Sequence, residues 1–93
     1  MTKRQKREDK IRRNPKQVGF DEINTVMTNE GFDADINGSH CTYEHRDYAD
    51  LRTTVVIPHG GSTHVLPVYV GNALAILDEA RRRQAKKEAG RNA

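Results

Sequence analysis

Apolar residues recur along the chain in four short patterns separated by turn-forming residues. From Phe20 to Glu30, Ile23, Val26 and Met27 stand at i, i+3 and i+4, Asp21 and Glu22 occupy the first turn, and Gly31 suits the cap. This spacing predicts a short amphipathic helix. Phe32 to Ile36 alternates apolar with polar, the period of a strand with one covered face. Asn37-Gly38 then offers the two positive-φ residues of a type I′ hairpin turn, so a second strand is expected from His40 through Tyr43 to about His45. Thr53 to Ile57 reads as a third strand, ended by Pro58. Pro58 to His64, with Gly60-Gly61, reads as a mobile loop, and Pro67 fits the first turn of a helix, where no amide hydrogen bond is needed. In that helix Val70, Leu74 and Leu77 form one stripe flanked by Tyr69, Ala73 and Ile76, a broad face to lay on the sheet.

The two ends follow different rules. Residues 1–13 are almost wholly charged, with Ile11 the only interior apolar residue, so a helix here is marginal in water unless it docks on something. Asn14-Pro15 marks the boundary. Beyond Ala80 the chain turns to Arg, Lys, Gln and Glu with scattered Ala, compatible with a helix projecting to about Gly90 without a core. The expected fold class is α+β in the order helix, three antiparallel strands, helix. Both helices cover one sheet face and the other stays open. The expected divisions are a basic arm over 1–13, a body over 14–80 and a basic extension over 81–93.

Composition limits the possibilities further. With 93 residues of which 34% are hydrophobic, only one small core can be built. A mean hydropathy of −0.89 and the lack of any apolar run near membrane-spanning length argue against a transmembrane helix, and the basic N-terminus lacks the apolar stretch of a secretory signal. A soluble cytoplasmic protein with no membrane association is expected. A single cysteine, Cys41, allows no intramolecular disulfide and no cysteine-paired zinc site. Charge is segregated: residues 1–17 hold 8 basic against 2 acidic groups, residues 18–80 hold 2 against 10, and residues 81–93 hold 6 against 1. Two basic arms thus flank an acidic body, a field that attracts a phosphate backbone or an acidic protein alike.

The candidate chemistry lies at Gly38-Ser39-His40. An imidazole directly after a tight turn is held by sheet hydrogen bonds yet stays near solvent, and histidine titrates near neutrality, so it suits acid–base work. Cleavage of RNA is one such reaction: the base deprotonates a ribose 2′-hydroxyl, which attacks the neighbouring phosphorus, and no metal or other cofactor is required. Strand alternation places His40 and Thr42 on one face and Cys41, Tyr43 and His45 on the other. The two His-x4-His spacings, 40/45 and 59/64, therefore do not converge as zinc ligands. Cys41 in a strand reads as a small buried hydrophobe rather than a reactive thiol.

Six pieces in order carry a family resemblance: Asn14-Pro15-Lys16, the Phe20 helix closing at Gly31-Phe32, Gly38-Ser39-His40 with Tyr43, Ile57-Pro58-His59, Pro67, and Ala73 to Leu77. Over residues 14–79 the chain resembles the HicA-type mRNA interferase toxins of toxin–antitoxin systems. The resemblance implies a fold similar to the double-stranded RNA-binding domain, cleavage of messenger RNA, and neutralisation by a cognate HicB-type antitoxin. It also implies His40 as the catalytic histidine and Gly38 as the glycine beside it. Cys41 and Leu66 stand where members of that family often carry a basic or second histidine residue and a lysine.

On this reading His40 is the general base, and Gly38, Ser39, Lys16 and His59 are the expected substrate contacts. Leu66 to Val70 holds no Lys or Arg, so single-stranded RNA fits better than duplex. Tyr43 or Tyr48 could stack on a base, although Tyr43's central strand favours the core. The proton donor for the leaving 5′-oxygen stays open among His45, His59, Tyr43 and water. The alternative is a non-catalytic RNA- or protein-binding module on the same fold, in which the arms do the binding.

Overall fold

The computed structural model describes residues 3–60 and 63–91, and the order is α1 (Lys3–Arg13), α2 (Phe20–Asn29), β1 (Phe32–Asn37), β2 (His40–His45), β3 (Arg52–Val56) and α3 (Pro67–Arg91). The strands form one antiparallel sheet in the order β1-β2-β3. Boundaries agree with the periodicity to within one residue for the strands and both predicted helices. Gly61 and Ser62, in the middle of the expected loop, lie outside the described residues, as do the extreme ends of both arms.

The core forms where the apolar faces of α2 and α3 meet one side of the sheet. Ile23, Val26 and Met27 of α2 and Val70, Ala73, Leu77 and Ala80 of α3 are buried with Phe32, Cys41, Tyr43 and Val55. Tyr43 is fully covered, and its hydroxyl donates to Asn24 Oδ1 at 2.8 Å, so the ring fills the core while its polar end is satisfied on α2. Leu74 and Ile76 are only half-buried. The covered stripe of α3 runs instead through Ala73 and Ala80, small residues that let the helix lie close to the sheet.

The N-terminal helix is part of this body. Ile11 is completely buried, and Lys10 pairs with Glu22 of α2 at 3.4 Å. Glu8 receives the Arg81 guanidinium at 2.7 and 2.6 Å, and Arg12 reaches Asp78 at 2.7 Å. A helix too polar to fold alone is thus held by one apolar anchor and a set of ion pairs. The boundary at Asn14-Pro15 is a turn between packed helices.

The hairpin differs from the expectation. Asn37 pairs with His40, which leaves Gly38-Ser39 as the two-residue loop. Gly38 has φ +62° and, among the described residues, no non-glycine residue has a positive φ, the pattern of a type II′ turn rather than I′. Asn37 is used as the last residue of β1, so one positive-φ position suffices. Gly31 is the second glycine the fold demands: φ is +93°, and a Cβ there would stand 3.1 Å from His45 Nε2.

Candidate functional site

The uncovered sheet face is built of three cross-strand rows. Asn37, His40 and Val56 form the first, Asp35, Thr42 and Thr54 the second, and Asp33, Glu44 and Arg52 the third. Thr42 and Thr54 hydroxyls share a 3.1 Å hydrogen bond at its centre. His40 is exposed at the turn end of this face, and among the described residues no side chain or backbone group holds its ring. Its backbone is well fixed: the hairpin precedes it, and the Ile57 N–H donates to Ser39 O at 2.6 Å. That bond makes the His40–Val56 pair the closer-spaced, non-hydrogen-bonded kind, so the imidazole stands directly beside the Val56 side chain.

Val56 also lines a groove of about 280 Å³ with Ile57, Pro58, His59, His64 and Leu66. The structure therefore places Gly38, Ser39 and His40 at the end of the sheet from which β3 runs on towards His59, and exposed Leu66 lines the same groove as His59. Gly38 has open space where a Cβ would be, which leaves the turn backbone accessible. Lys16 is exposed in the turn between α1 and α2 and is not among the groove-lining residues. A neighbouring groove shares Ile57 and Pro58 but is bounded by Asp21 and Glu22 at the start of α2. His64 is missing from the expected site because it lies across a loop from β3, and only the fold brings it into the groove that Val56 lines.

The remaining acid–base candidates are removed from this face. His45 is 2% exposed, on the covered side, between Phe32 at 4.8 Å and Tyr48 at 4.9 Å. The Asp47 N–H donates to its Nδ1 at 3.1 Å, which leaves Nε2 to carry the proton and donate to Glu30 O at 3.0 Å. His45 is thus a satisfied core histidine, and neither it nor buried Tyr43 can reach a substrate on the open face. Burial also raises the Tyr43 hydroxyl pKa and pushes the Cys41 thiol up, away from thiolate. Tyr48 is half-buried, with the Arg83 guanidinium 5.4 Å from its ring centre. Neither tyrosine presents a free ring to a base. Among the described residues no group of three His, Cys, Asp or Glu side chains is placed to hold a metal ion.

Part of the segregated charge is spent inside the molecule. Arg81 bridges Glu8 and Glu30, Arg83 bridges Asp50 and Glu79, Arg82 pairs with Glu79, and Arg12 bridges Glu8 and Asp78. The Arg81 fork, assisted by Arg12, holds the Glu8 carboxyl below its ordinary range despite partial burial. The basic ends thus neutralise part of the acidic body. Among the described residues, Lys86 and Lys87 near the end of α3, Lys3, Lys6, Arg7 and Arg13 on α1, and Lys16 after it keep charge without an ion-pair partner. The open face itself carries Asp33 and Asp35 on β1 and Glu44 on β2; Arg46 pairs with Asp33 and Arg52 with Glu44, which leaves Asp35 uncompensated, and no carboxylate stands in the His40 row.

Comparison with protein-family models, with curated proteins and with solved structures finds no match for this chain.

Proposed function

We propose that this chain is a metal-independent endoribonuclease of the HicA toxin type, acting on single-stranded RNA with His40 as general base. The observation that carries the reading is the position of His40: a ring free of partners, on an immobilised backbone, at the uncovered end of the sheet. In the step proposed, His40 takes the proton of a ribose 2′-hydroxyl and the 2′-oxygen attacks the adjacent phosphorus. The Gly38-Ser39 turn approaches the phosphate closely because nothing projects from Gly38, and His59 contacts it from the loop that follows β3. Lys16 supplies a more distant phosphate contact. A HicB-type antitoxin that covered the His40 end would silence the activity.

The test compares wild type with His40→Ala, both as purified protein with RNA and by induction in a bacterial host. The wild type is expected to cleave RNA and arrest growth. His40→Ala is expected to fold equally well, because the side chain is exposed, and to lose cleavage by about 10²-fold or more. Undiminished cleavage by a folded His40→Ala protein rules the reading out, and binding of RNA without cleavage by the wild type identifies a non-catalytic module.

A further inference from the structure

We propose that His64 is the general acid of this site, protonating the departing 5′-oxygen while the groove it lines seats the leaving nucleoside. The inference rests on the ribonuclease reading above and completes it.

Elimination supplies the first support. A 5′-alkoxide is a poor leaving group unless protonated as it departs, and a titratable side chain near His40 supplies that proton better than water does. Tyr43, His45 and Cys41 are buried on the opposite sheet face. His59 and His64 are the remaining histidines, and both line the groove that begins at Val56, the cross-strand neighbour of His40.

Placement then separates the two. The groove is lined from two stretches of chain: residues 56–59, which run on from the strand beside His40, and His64 with Leu66 after the loop. In-line displacement puts the attacking 2′-oxygen and the leaving 5′-oxygen on opposite sides of phosphorus. The acid is therefore assigned to the stretch that is not continuous with the base's strand, which is His64, and His59, three residues beyond Val56, is left as a phosphate contact. Attachment agrees with this. Val65, next in the chain, is 1% exposed and its N–H donates to Val18 O at 2.8 Å, which pins the backbone beside His64. The Thr63 hydroxyl lies 3.4 Å from His64 Nδ1, so Nε2 is the nitrogen left for substrate. His59 is instead followed by Gly60 at φ +69° with open space around it. Ile57, Pro58 and Leu66 supply the apolar surface on which a base can rest, and Leu66 is 59% exposed with no other occupant among the described residues.

The step balances as follows. Neutral His40 accepts the 2′-hydroxyl proton as the 2′-oxygen–phosphorus bond forms. The phosphorus–5′-oxygen bond breaks, and protonated His64 gives its proton to that oxygen. The products are a 2′,3′-cyclic phosphate end and a 5′-hydroxyl end, with His40 protonated and His64 neutral until solvent resets them.

The experiment uses the full chain and an oligoribonucleotide that the wild type cleaves, prepared with the ordinary linkage and with sulfur replacing the bridging 5′-oxygen at the cleaved bond. A thiolate departs without a proton donor. His64→Ala and His64→Gln, both expected to melt like wild type because the side chain is exposed, should cleave the ordinary substrate about 10²- to 10⁴-fold more slowly and the sulfur substrate at close to the wild-type rate. His40→Ala should be slow on both. Equal loss on both substrates by His64→Ala, no loss on either, or selective rescue of His59→Ala instead would overturn the assignment to His64 while leaving the ribonuclease reading standing. Full activity of His40→Ala on the ordinary substrate would overturn that reading itself.

Discussion

Arg81 of α3 grips Glu8 of α1 through two parallel hydrogen bonds, 2.7 and 2.6 Å long, across 73 positions of chain. The same guanidinium donates to Glu30 Oε1 at 2.6 Å, so a single side chain joins α1, the C-terminal end of α2 and α3. Such bidentate charge-assisted bonds fix relative orientation as well as contributing energy. Glu30 also presents its carbonyl to His45, and thus the ionic cluster on one side and the core histidine on the other meet at the residue that ends α2.

This pairing makes stability depend on pH in a defined direction. The Arg81 and Arg12 contacts lower the Glu8 pKa from its ordinary 4.5, so the unfolded chain binds a proton at Glu8 before the folded one does. The stabilisation is complete above 4.5 and disappears as pH falls through the lowered folded value. Chemical denaturation followed between pH 7 and pH 3 should show stability declining through the acid range. Glu8→Gln should be less stable at neutrality by about 1 kcal/mol, a figure discounted for the partial exposure of Arg81, and should show a shallower acid decline. Asp50 and Glu79, lowered in the same sense by Arg83 and Arg82, leave it a residual slope. A parallel decline in both proteins would show that the Glu8 contacts are not maintained in solution.

The burial of Ile11 predicts that α1 is required for the fold. Ile11→Ala removes the one apolar anchor of the helix and should cost about 2–5 kcal/mol, which lowers Tm by roughly 10 °C or more for a chain of this size. Thermal melting followed by circular dichroism measures it. A Tm unchanged within a degree or so would mean that α1 does not dock.

Gly31→Ala tests the enclosure of His45. The substitution forces a side chain into φ +93° and brings its Cβ to 3.1 Å from Nε2 and 3.4 Å from Cε1 of the ring. The backbone penalty alone is about 1–3 kcal/mol, and displacement of His45 from its hydrogen bonds to Glu30 and Asp47 adds to it. A urea midpoint equal to wild type would place the ring elsewhere. Because His45 lies on the face opposite His40, any RNA cleavage should fall only in proportion to the folded fraction.

Much of the local architecture can be read from neighbouring residues. The helical spacing of Ile23, Val26 and Met27, the alternation in β2 and Pro67 at the start of α3 each express a preference within a few positions, and alternation alone separates His40 from Tyr43 and His45. The turn type was harder to read, because Asn37-Gly38 and Gly38-Ser39 are both acceptable hairpin pairs and cross-strand register chooses between them. The role of the basic arms could not be read at all. Clustered Lys and Arg look the same whether they face solvent, a polyanion or the molecule's own carboxylates, and Arg81, Arg83 and Arg12 take the last course.

The order of elements and the face on which each β2 side chain stands thus follow from periodicity and turn chemistry, which act between near neighbours, whereas the choice of His40 as the candidate base rests chiefly on the family resemblance. Tertiary structure alone decided that α1 belongs to the core, that His45 is locked by two hydrogen bonds, and that His64 shares a groove with the residue beside His40. Those outcomes join positions far apart in the chain, 66 residues for Arg12 with Asp78, and depend on which faces come together when apolar surface leaves water.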